Sequence, residues 1–226
     1  MSVSHLDPTP TIRPAAATLD ARLLESARGF SSATLHEAGG RRGALPSAIQ
    51  PIDVRFKVCG PALTVHSPGG DNLWLHRALD LGRPGDVLVV DVSGSYEHGY
   101  WGEIMSTAAR HRGLGGLVIN GCVRDGALIA QIDFAVFARG LCIRGTSKDF
   151  GARGFINYPV LVGDVVVNAG DLIFGDGDGV VAVAAASVAT VLDAARRRET
   201  EEAEILQRIS AGESTLDIYG WRRTAG

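Results

Sequence analysis

PGDVLVVD (residues 84–91) begins as a turn and continues as an unbroken apolar run, which is typical of a strand covered on both faces of its sheet. A glycine-rich loop at 93–99 follows it, and then a helical pattern from about Gly102 to His111. The next apolar run, LVIN (117–120), predicts a second buried strand. This βαβ order predicts two parallel strands whose carboxyl-end loops meet at one sheet edge, where α/β folds bind ligands.

The flanking segments predict one α/β domain over residues 18–226, preceded by a flexible leader at 1–17 that has no signal-peptide core. Before the βαβ unit we expect three helices. The first covers 18–29, the second runs from Ser31 or Ser32 to Gly39-Gly40, and the third covers 72–81 with Asp71 as its cap. We also expect strand material at 54–66, broken at Gly60-Pro61. After it we expect a short helix, a strand at 135–139, hairpins within 156–183 and a long charged helix from Ser187 to Ile209.

Composition excludes several classes of function. The chain has 226 residues and a formal net charge of −3, with no basic run beyond 196–198, so it lacks the electrostatic footprint of a nucleic-acid-binding protein. No apolar run reaches the ~18–20 residues that span a membrane. The three cysteines are isolated in apolar surroundings, which favours reduced thiols in the cytoplasm. The scattered histidines give no zinc-ligand spacing, and Lys57 and Lys148 are the only candidates for a Schiff base.

Two loops at the predicted sheet edge could carry chemistry. GSYEHGYWGE (94–103) leads into a helix whose first N–H groups could bind a carboxylate or phosphate, or its glycines could simply cap the helix. NGCVRDG (120–126) follows the second buried strand. Arg124 can bind a planar carboxylate in a bidentate manner, and Asp125 offers a hard oxygen ligand for Mg²⁺ or Mn²⁺. The alternative is an Arg-Asp turn whose side chains only pair with their neighbours.

A third stretch, GDLIFGDGDGVV (170–181), superficially suggests a calcium loop. It lacks the glutamate that closes such a loop and the flanking helices, so we predict a turn between two strands. His98 and Asp71 are the remaining polar candidates. We expect His98 to be an exposed loop residue and Asp71 a helix cap rather than a catalyst.

Six motifs in order resemble the RraA-like superfamily, and within it the divalent-metal pyruvate aldolases that act on 4-hydroxy-4-methyl-2-oxoglutarate and 4-carboxy-4-hydroxy-2-oxoadipate. The resemblance runs from about residue 20 to about 222 and includes a C-terminal pattern from Arg198-Glu199 to Tyr219-Gly220. The motifs are DNLWLHRAL (71–79), PGDVLVVD (84–91), WGEIMSTAA (101–109), GLGGLVINGCVRD (113–125), FARG (137–140) and GDLIFGDGDGVVAV (170–183). The resemblance implies a compact layered α/β/β sandwich of the swivelling type.

The resemblance also implies roles for individual residues. The family's segment whose backbone binds the pyruvyl carboxylate and enolate matches Gly102, Glu103, Ile104 and Met105. The family's substrate-binding arginine matches Arg124, and its metal ligand matches Asp125, which would hold Mg²⁺ or Mn²⁺. A glutamate from a neighbouring subunit approaches the metal's water shell in relatives. Glu199 is its best match, with Glu202 an open alternative, and this role implies a homotrimer or a homohexamer.

The implied reaction is retro-aldol cleavage of a 4-hydroxy-2-oxo acid to pyruvate and a second 2-oxo acid, with oxaloacetate decarboxylation as a side reaction. Two alternatives remain. The first is a non-catalytic regulator of the RraA type, which binds an RNase and in which the Arg-Asp pair is altered. The second is a dedicated oxaloacetate decarboxylase. Asp125 and the long C-terminal segment favour the aldolase branch.

Overall fold

The structure, a computed structural model, describes residues 11–222 as a mixed α/β fold. Its helices are α1 (Ala21–Ala27), α2 (Ser32–Ala38), α3 (Leu73–Leu81), α4 (Glu103–His111), α5 (Gly126–Ile132), α6 (Val188–Ser210) and α7 (Thr215–Ile218). Its strands are β1 (Gln50–Pro51), β2 (Val58–His66), β3 (Val87–Asp91), β4 (Gly116–Ile119), β5 (Val136–Ala138), β6 (Phe155–Ile156), β7 (Val160–Val162), β8 (Val165–Val167), β9 (Leu172–Asp176) and β10 (Gly179–Val183).

An eight-stranded sheet forms the centre of the fold, in the order β1-β5-β4-β3-β2-β9-β10, with β6 also paired to β2. Strands β2 to β5 run parallel to one another, and α4 connects β3 to β4 as the βαβ pattern predicts. Segment 43–45 pairs with β10 while β1 pairs with β5, so the sheet is nearly closed. The carboxyl ends of β3 and β4 therefore lie side by side at one edge.

The predicted break at Gly60-Pro61 is wrong, because β2 is one nine-residue strand that continues through both residues. Residues 58–61 of this strand pair antiparallel with β9, and residues 62–66 pair parallel with β3. Gly60 permits this change of partner by close backbone approach, since a β-carbon there would lie 2.2 Å from the carbonyl oxygen of Gly85.

Gly60→Ala is expected to lower the free energy of unfolding by about 1–3 kcal/mol, because the added methyl group has no room against backbone. The matched control is Gly177→Ala, whose β-carbon would meet no atom closer than 3.7 Å. Urea unfolding of both variants measures the difference. Equal midpoints would contradict this account of β2.

Two groups of buried side chains stabilise the domain. The larger surrounds β2 to β5 and includes Trp74, Leu88, Trp101 and Ile119, while the smaller joins β9 and β10 to α1, α2 and α6. The predicted turn between β9 and β10 is present and consists of Gly177 and Asp178. Asp176, the last residue of β9, is buried and accepts hydrogen bonds from the backbone N–H and hydroxyl of Ser32. This carboxylate therefore serves to join α2 to the sheet.

The ends of the described chain also make contacts. Residues 1–10 of the predicted leader lie outside the described residues, and Thr11 and Arg13 form backbone hydrogen bonds with Ile156 of β6. At the other end, residues that carry little structural signal in the sequence form α7, and the Ser214 hydroxyl accepts from the N–H of Leu216. Between residues 11 and 222, no helix is long and apolar enough to cross a membrane.

Candidate active site

The loops after β3 and β4 meet at the predicted sheet edge. The backbone N–H of Arg124 donates to the carbonyl oxygen of Trp101 at 2.8 Å, and the N–H of Tyr100 donates to that of Cys122 at 3.1 Å. Tyr100 and Trp101 are fully buried, and the Trp101 indole donates to the hydroxyl of Ser106 inside α4. These contacts join the two loops to each other and to the start of α4.

Arg124 and Asp125 lie where these loops converge. Asp125 precedes α5 in a left-handed conformation (φ 60°, ψ 34°), which turns its carboxylate toward the start of α4. Its Oδ2 accepts from the backbone N–H of Glu103 at 3.1 Å and lies 3.7 Å from Nε of Arg124. Both side chains stay partly exposed, so they are positioned by the protein and still accessible to a ligand.

Glycines at both ends of the segment 99–102 allow this approach. A β-carbon at Gly102 would lie 2.3 Å from Oδ2 of Asp125 and 3.2 Å from Cγ of Arg124. One at Gly99 would lie 2.4 Å from the carbonyl oxygen of Cys142 and 3.1 Å from Cβ of Arg124. Gly102 has an extended backbone (φ −155°, ψ −163°), so close packing, rather than an unusual dihedral angle, is what requires glycine there.

Gly102 is also the N-cap of α4, and no side chain caps this helix. The first backbone N–H groups of an α-helix lack intrahelical partners, and those of Glu103, Ile104 and Met105 are the first three of α4. The positive end of the helix dipole adds to their attraction for an anion. The predicted substrate-binding segment 102–105 thus begins the helix that faces Arg124 and Asp125.

A cavity of about 240 Å³ opens at this point. It lies below the ~300–1,000 Å³ typical of pockets for drug-sized ligands, so it suits a small organic acid. Its lining residues are Asn72, His76, Gly99, Tyr100, Trp101, Gly102, Ile104, Met105, Arg124, Asp125, Gly145, Thr146 and Lys148.

Part of the cavity wall comes from the start of α3 and the loop at 145–149. Asp71 joins the two. The N-cap of α3 is Asn72 rather than the predicted Asp71. Asp71 lies one residue before it, where its Oδ1 accepts from the N–H of Leu73 while its Oδ2 accepts from the Ser147 hydroxyl and the Asp149 N–H. Lys148 is thereby held beside His76. Burial first, and the Lys148 cation second, lower the pKa of His76, so its imidazole is neutral at pH 7.

Comparison with known proteins agrees with this architecture. Residues 15–182 match the RraA-like family, Aldolase/RraA. The chain belongs to the RraA-like family. A protein of Halalkalibacterium halodurans named "Putative 4-hydroxy-4-methyl-2-oxoglutarate aldolase" is 33% identical over 175 residues, which cover 77% of this chain and 82% of the relative. An uncharacterized protein of Methanocaldococcus jannaschii is 32% identical over 200 residues, covering 87% and 93% of the two chains.

A solved structure confirms the RraA-like fold. RraAS2 of Streptomyces coelicolor, described as an unusual member of the RNase ES inhibitor RraA protein family, superimposes with a TM-score of 0.72 at 29% identity. The match covers 85% of this chain and 98% of RraAS2. The predicted α/β fold class is therefore confirmed, although the family includes proteins described as inhibitors as well as proteins named aldolases.

The predicted site residues of this RraA-like chain fall into two groups. Gly102, Ile104, Met105, Arg124 and Asp125 line one cavity, and the N–H of Glu103 hydrogen-bonds Asp125 beside it. Glu199 is exposed on α6 and is not among the lining residues, so one chain does not bring it to the site. Its alternative, Glu202, forms an ion pair with Arg198 at 2.8 Å, whereas within residues 11–222 no ion pair involves Glu199.

The carboxylate oxygens of Asp125 are suitable ligands for a hard divalent cation that keeps most of its bound waters. Oδ2 contacts Glu103 and Arg124, while no donor among residues 11–222 reaches Oδ1, which leaves that oxygen available as a ligand. Over the described range 11–222, no cluster of three His, Cys, Asp or Glu side chains could form a complete protein cage. One carboxylate with water fits Mg²⁺ or Mn²⁺, and does not fit a structural zinc site.

Asn72, His76 and Lys148 are cavity residues that the sequence alone did not assign to the site. Asn72 and His76 belong to the motif DNLWLHRAL, which marks the start of α3 but does not show which of its polar residues face a ligand. From the sequence, Lys148 is considered only as a candidate for a Schiff base, and the structure places it in the cavity wall. His98 hydrogen-bonds Ser95 and packs on Tyr100, outside the cavity lining.

Proposed function

We propose that this protein is a divalent-metal-dependent carbon–carbon lyase that cleaves a 4-hydroxy-2-oxo acid to pyruvate and a second 2-oxo acid. The supporting observation is the packing of Arg124 and Asp125 against the uncapped start of α4, which gives one small cavity a guanidinium, free backbone N–H groups and a carboxylate for a cation. The name of the Halalkalibacterium halodurans relative supports 4-hydroxy-4-methyl-2-oxoglutarate as the substrate, with 4-carboxy-4-hydroxy-2-oxoadipate as a second candidate.

Arg124 and the start of α4 bind and orient the pyruvyl end of the substrate in this proposal. The N–H groups of Ile104 and Met105 bind the C1 carboxylate, and the Arg124 guanidinium donates to an oxygen of the carboxylate or the C2 carbonyl. When the C3–C4 bond breaks, negative charge moves onto the C2 oxygen, and Arg124 is already in place to stabilise it. Tyr100 and Trp101, which precede the start of α4, are buried and support the backbone that carries these N–H groups.

Asp125 and water would hold Mg²⁺ or Mn²⁺, and the bound cation would supply further neutralisation of the charge on the 2-oxo acid. Asp125 would orient the cation, because its left-handed backbone and the N–H of Glu103 fix the direction of its carboxylate. The same stabilisation of an enolate would permit oxaloacetate decarboxylation as a side reaction.

Glu199 enters the proposal from a neighbouring copy of the chain in a homotrimer or homohexamer. Its carboxylate is exposed and makes no ion pair within residues 11–222, whereas Arg198 engages Glu202. Because Glu199 makes no ion pair in the described part of its own chain, it is the better candidate to act at another chain's site.

Lys148 provides a cation for the second carboxylate of the substrate. Lys148→Ala is expected to raise KM for 4-hydroxy-4-methyl-2-oxoglutarate about 10-fold with a smaller change in kcat, because the charge–charge contact acts in both ground and transition states. NMR titration of the same variant should show a higher pKa for His76, since its cationic neighbour is gone. An unchanged KM would contradict this role.

A second candidate function is a non-catalytic regulator of the RraA type, which the structural similarity to RraAS2 favours. A panel of 2-oxo acids, with and without Mg²⁺ or Mn²⁺ and with lactate dehydrogenase reporting pyruvate, separates the candidates. Cation-dependent pyruvate release from the 4-hydroxy-4-methyl substrate supports the lyase. Release from none of the acids contradicts it and favours the regulator, and a higher kcat/KM for oxaloacetate than for the tertiary alcohols indicates a dedicated decarboxylase.

Removal of the divalent cation is expected to abolish pyruvate release. The protein is treated with EDTA, passed through a desalting column and assayed before and after Mg²⁺ or Mn²⁺ is restored. Activity should return with the cation, because without it Arg124 alone must offset the charge that develops on the C2 oxygen beside the negative Asp125 carboxylate. Undiminished activity in the chelated protein would contradict the role of the cation, and a circular dichroism spectrum of the same sample checks that EDTA has not unfolded it.

A further inference from the structure

The parallel pairing of β2 with β3 brings a histidine and an aspartate together outside the cavity. His66 and Asp91 are the last residues of their strands and lie opposite each other in the register. Nδ1 of His66 lies 2.9 Å from Oδ2 of Asp91, and the two side chains are 35% and 16% exposed. When Nδ1 carries the proton and donates to this carboxylate, the imidazole is held in one orientation and its Nε2 is an acceptor.

Ser93 completes the group just beyond the end of β3. Its φ is 53°, which is uncommon for a residue other than glycine and is a feature of strained functional turns. Its Oγ lies 3.3 Å from Nε2 of His66 and donates to the carbonyl oxygen of Ser67 at 2.9 Å. Because a hydroxyl hydrogen rotates about a single bond, the same proton can turn from that carbonyl to Nε2. Ser93 is thus within reach of a base whose other nitrogen contacts a carboxylate.

The turn that carries Ser93 also presents a backbone donor. Gly94 follows with φ 72°, and within residues 11–222 its N–H donates no hydrogen bond. The space beside it is open, since a β-carbon at Gly94 would have no atom within 4 Å. In serine hydrolases with a sharp strained turn directly after a strand, the serine in the turn is the nucleophile and the next N–H binds the oxyanion. Ser93 and Gly94 occupy these positions after β3.

We propose that Ser93, His66 and Asp91 form a second active site, which hydrolyses small carboxylic esters. Oγ of Ser93 attacks the acyl carbon and forms the new C–O bond, while its proton passes to Nε2 of His66. The C–O bond to the alcohol then breaks, and the leaving oxygen takes this proton from His66. A water molecule, deprotonated by His66, attacks the acyl-serine and releases the carboxylic acid and the Ser93 hydroxyl. Asp91 is a positioning residue that keeps the imidazole in the reactive tautomer.

The surroundings of the three side chains favour a small acyl group. Ser93 is exposed, so an ester carbonyl reaches it from solvent. Phe155 provides one apolar side, because its ring centroid lies 5.9 Å from that of His66. The three residues do not line the cavity at Arg124, so this activity is independent of the proposed lyase and needs no divalent cation.

Covalent labelling of the full chain tests the nucleophile. The probe is diisopropyl fluorophosphate, with which the serine oxygen forms an O–P bond as the P–F bond breaks and the hydroxyl proton passes to His66. Peptide mass spectrometry should find the adduct on Ser93. Ser93→Gly should abolish it, and this variant is expected to fold because glycine adopts a positive φ without strain.

Ser95→Ala is the matched control for Ser93→Gly. Oγ of Ser95 lies 3.4 Å from Nδ1 of His98, but within residues 11–222 no carboxylate hydrogen-bonds that imidazole. This second serine–histidine pair thus lacks the third group, and Ser95 also lacks a positive φ. Ser95→Ala should be labelled on Ser93 to the same extent as the unmodified protein.

Hydrolysis of 4-nitrophenyl acetate without added cation measures turnover. Ser93→Gly should fall to the rate of the buffer alone, and His66→Gln should lose at least about 10²-fold, the effect of removing a general base. Asp91→Asn should lower kcat with little change in KM, because an amide favours the wrong tautomer of His66. An unchanged kcat in Asp91→Asn would contradict its positioning role.

Two results would overturn the second active site. The first is the absence of an adduct on Ser93 in the unmodified protein, a measurement that needs no variant to fold. The second is equal ester hydrolysis by Ser93→Gly and Ser95→Ala. Either result would show that the three side chains only join the ends of β2 and β3.

Discussion

Asp125→Asn is expected to lower the rate of pyruvate release on the order of 10³-fold while the protein stays folded. The substitution removes the negative charge that would hold the cation and keeps the size of the side chain. Asparagine is also among the residues that best tolerate the left-handed conformation found at position 125. Its amide oxygen can still accept from the N–H of Glu103, so the local fold loses little.

The coupled pyruvate assay measures this effect, and thermal unfolding is its control. The melting temperature of Asp125→Asn should stay near that of the unmodified protein, whereas Asp125→Ala should also lose some stability because alanine is strained at positive φ. If Asp125→Asn keeps about a tenth or more of the activity of the unmodified protein, Asp125 does not bind the cation.

Gly102→Ala is expected to reduce kcat/KM on the order of 10²-fold, an effect typical of displacing a catalytic group by about 1 Å. The backbone at Gly102 is extended, so alanine adopts it without strain, and the only consequence is the new methyl group. That group would lie 2.3 Å from Oδ2 of Asp125 and must push the carboxylate away from the start of α4. The measurement is steady-state kinetics together with Mn²⁺ titration, which should show weaker cation binding.

Gly177→Ala is the matched control for Gly102→Ala, because it adds the same methyl group in the β9–β10 turn, where no atom lies closer than 3.7 Å. It should leave both kinetics and Mn²⁺ binding unchanged. If Gly102→Ala behaves like this control, the close packing of Gly102 on Asp125 is unimportant for the site.

The order of helices and strands follows largely from local pattern in this chain. The apolar runs at 87–92 and 117–120 lie in β3 and β4, and the periodicity from Gly102 to His111 corresponds to α4. Strand β2 shows where local pattern is insufficient. Gly60-Pro61 looks like a break, yet the strand continues because β9, more than 100 residues later in the chain, pairs with it. Only a non-local contact decides this, so the sequence could not show it.

Some residues of the candidate site are likewise predictable from local sequence, and others are not. Arg124, Asp125 and segment 102–105 are predictable because they follow strand ends or begin a helix, and these positions are readable from sequence. The left-handed backbone of Asp125 is not predictable from its residue type, since most aspartates do not adopt it. Asn72 and Lys148 line the same cavity although they are far apart in the chain, and Asp71 joins their two segments by contacts across 76 residues or more.

The most direct test is a crystal structure of the protein grown with Mn²⁺ and pyruvate, with the cation located by anomalous scattering. The result expected is an anomalous peak in contact with the Asp125 carboxylate, with pyruvate between the first N–H groups of α4 and the Arg124 guanidinium. A peak elsewhere, or pyruvate bound away from Arg124, would contradict the account of this site.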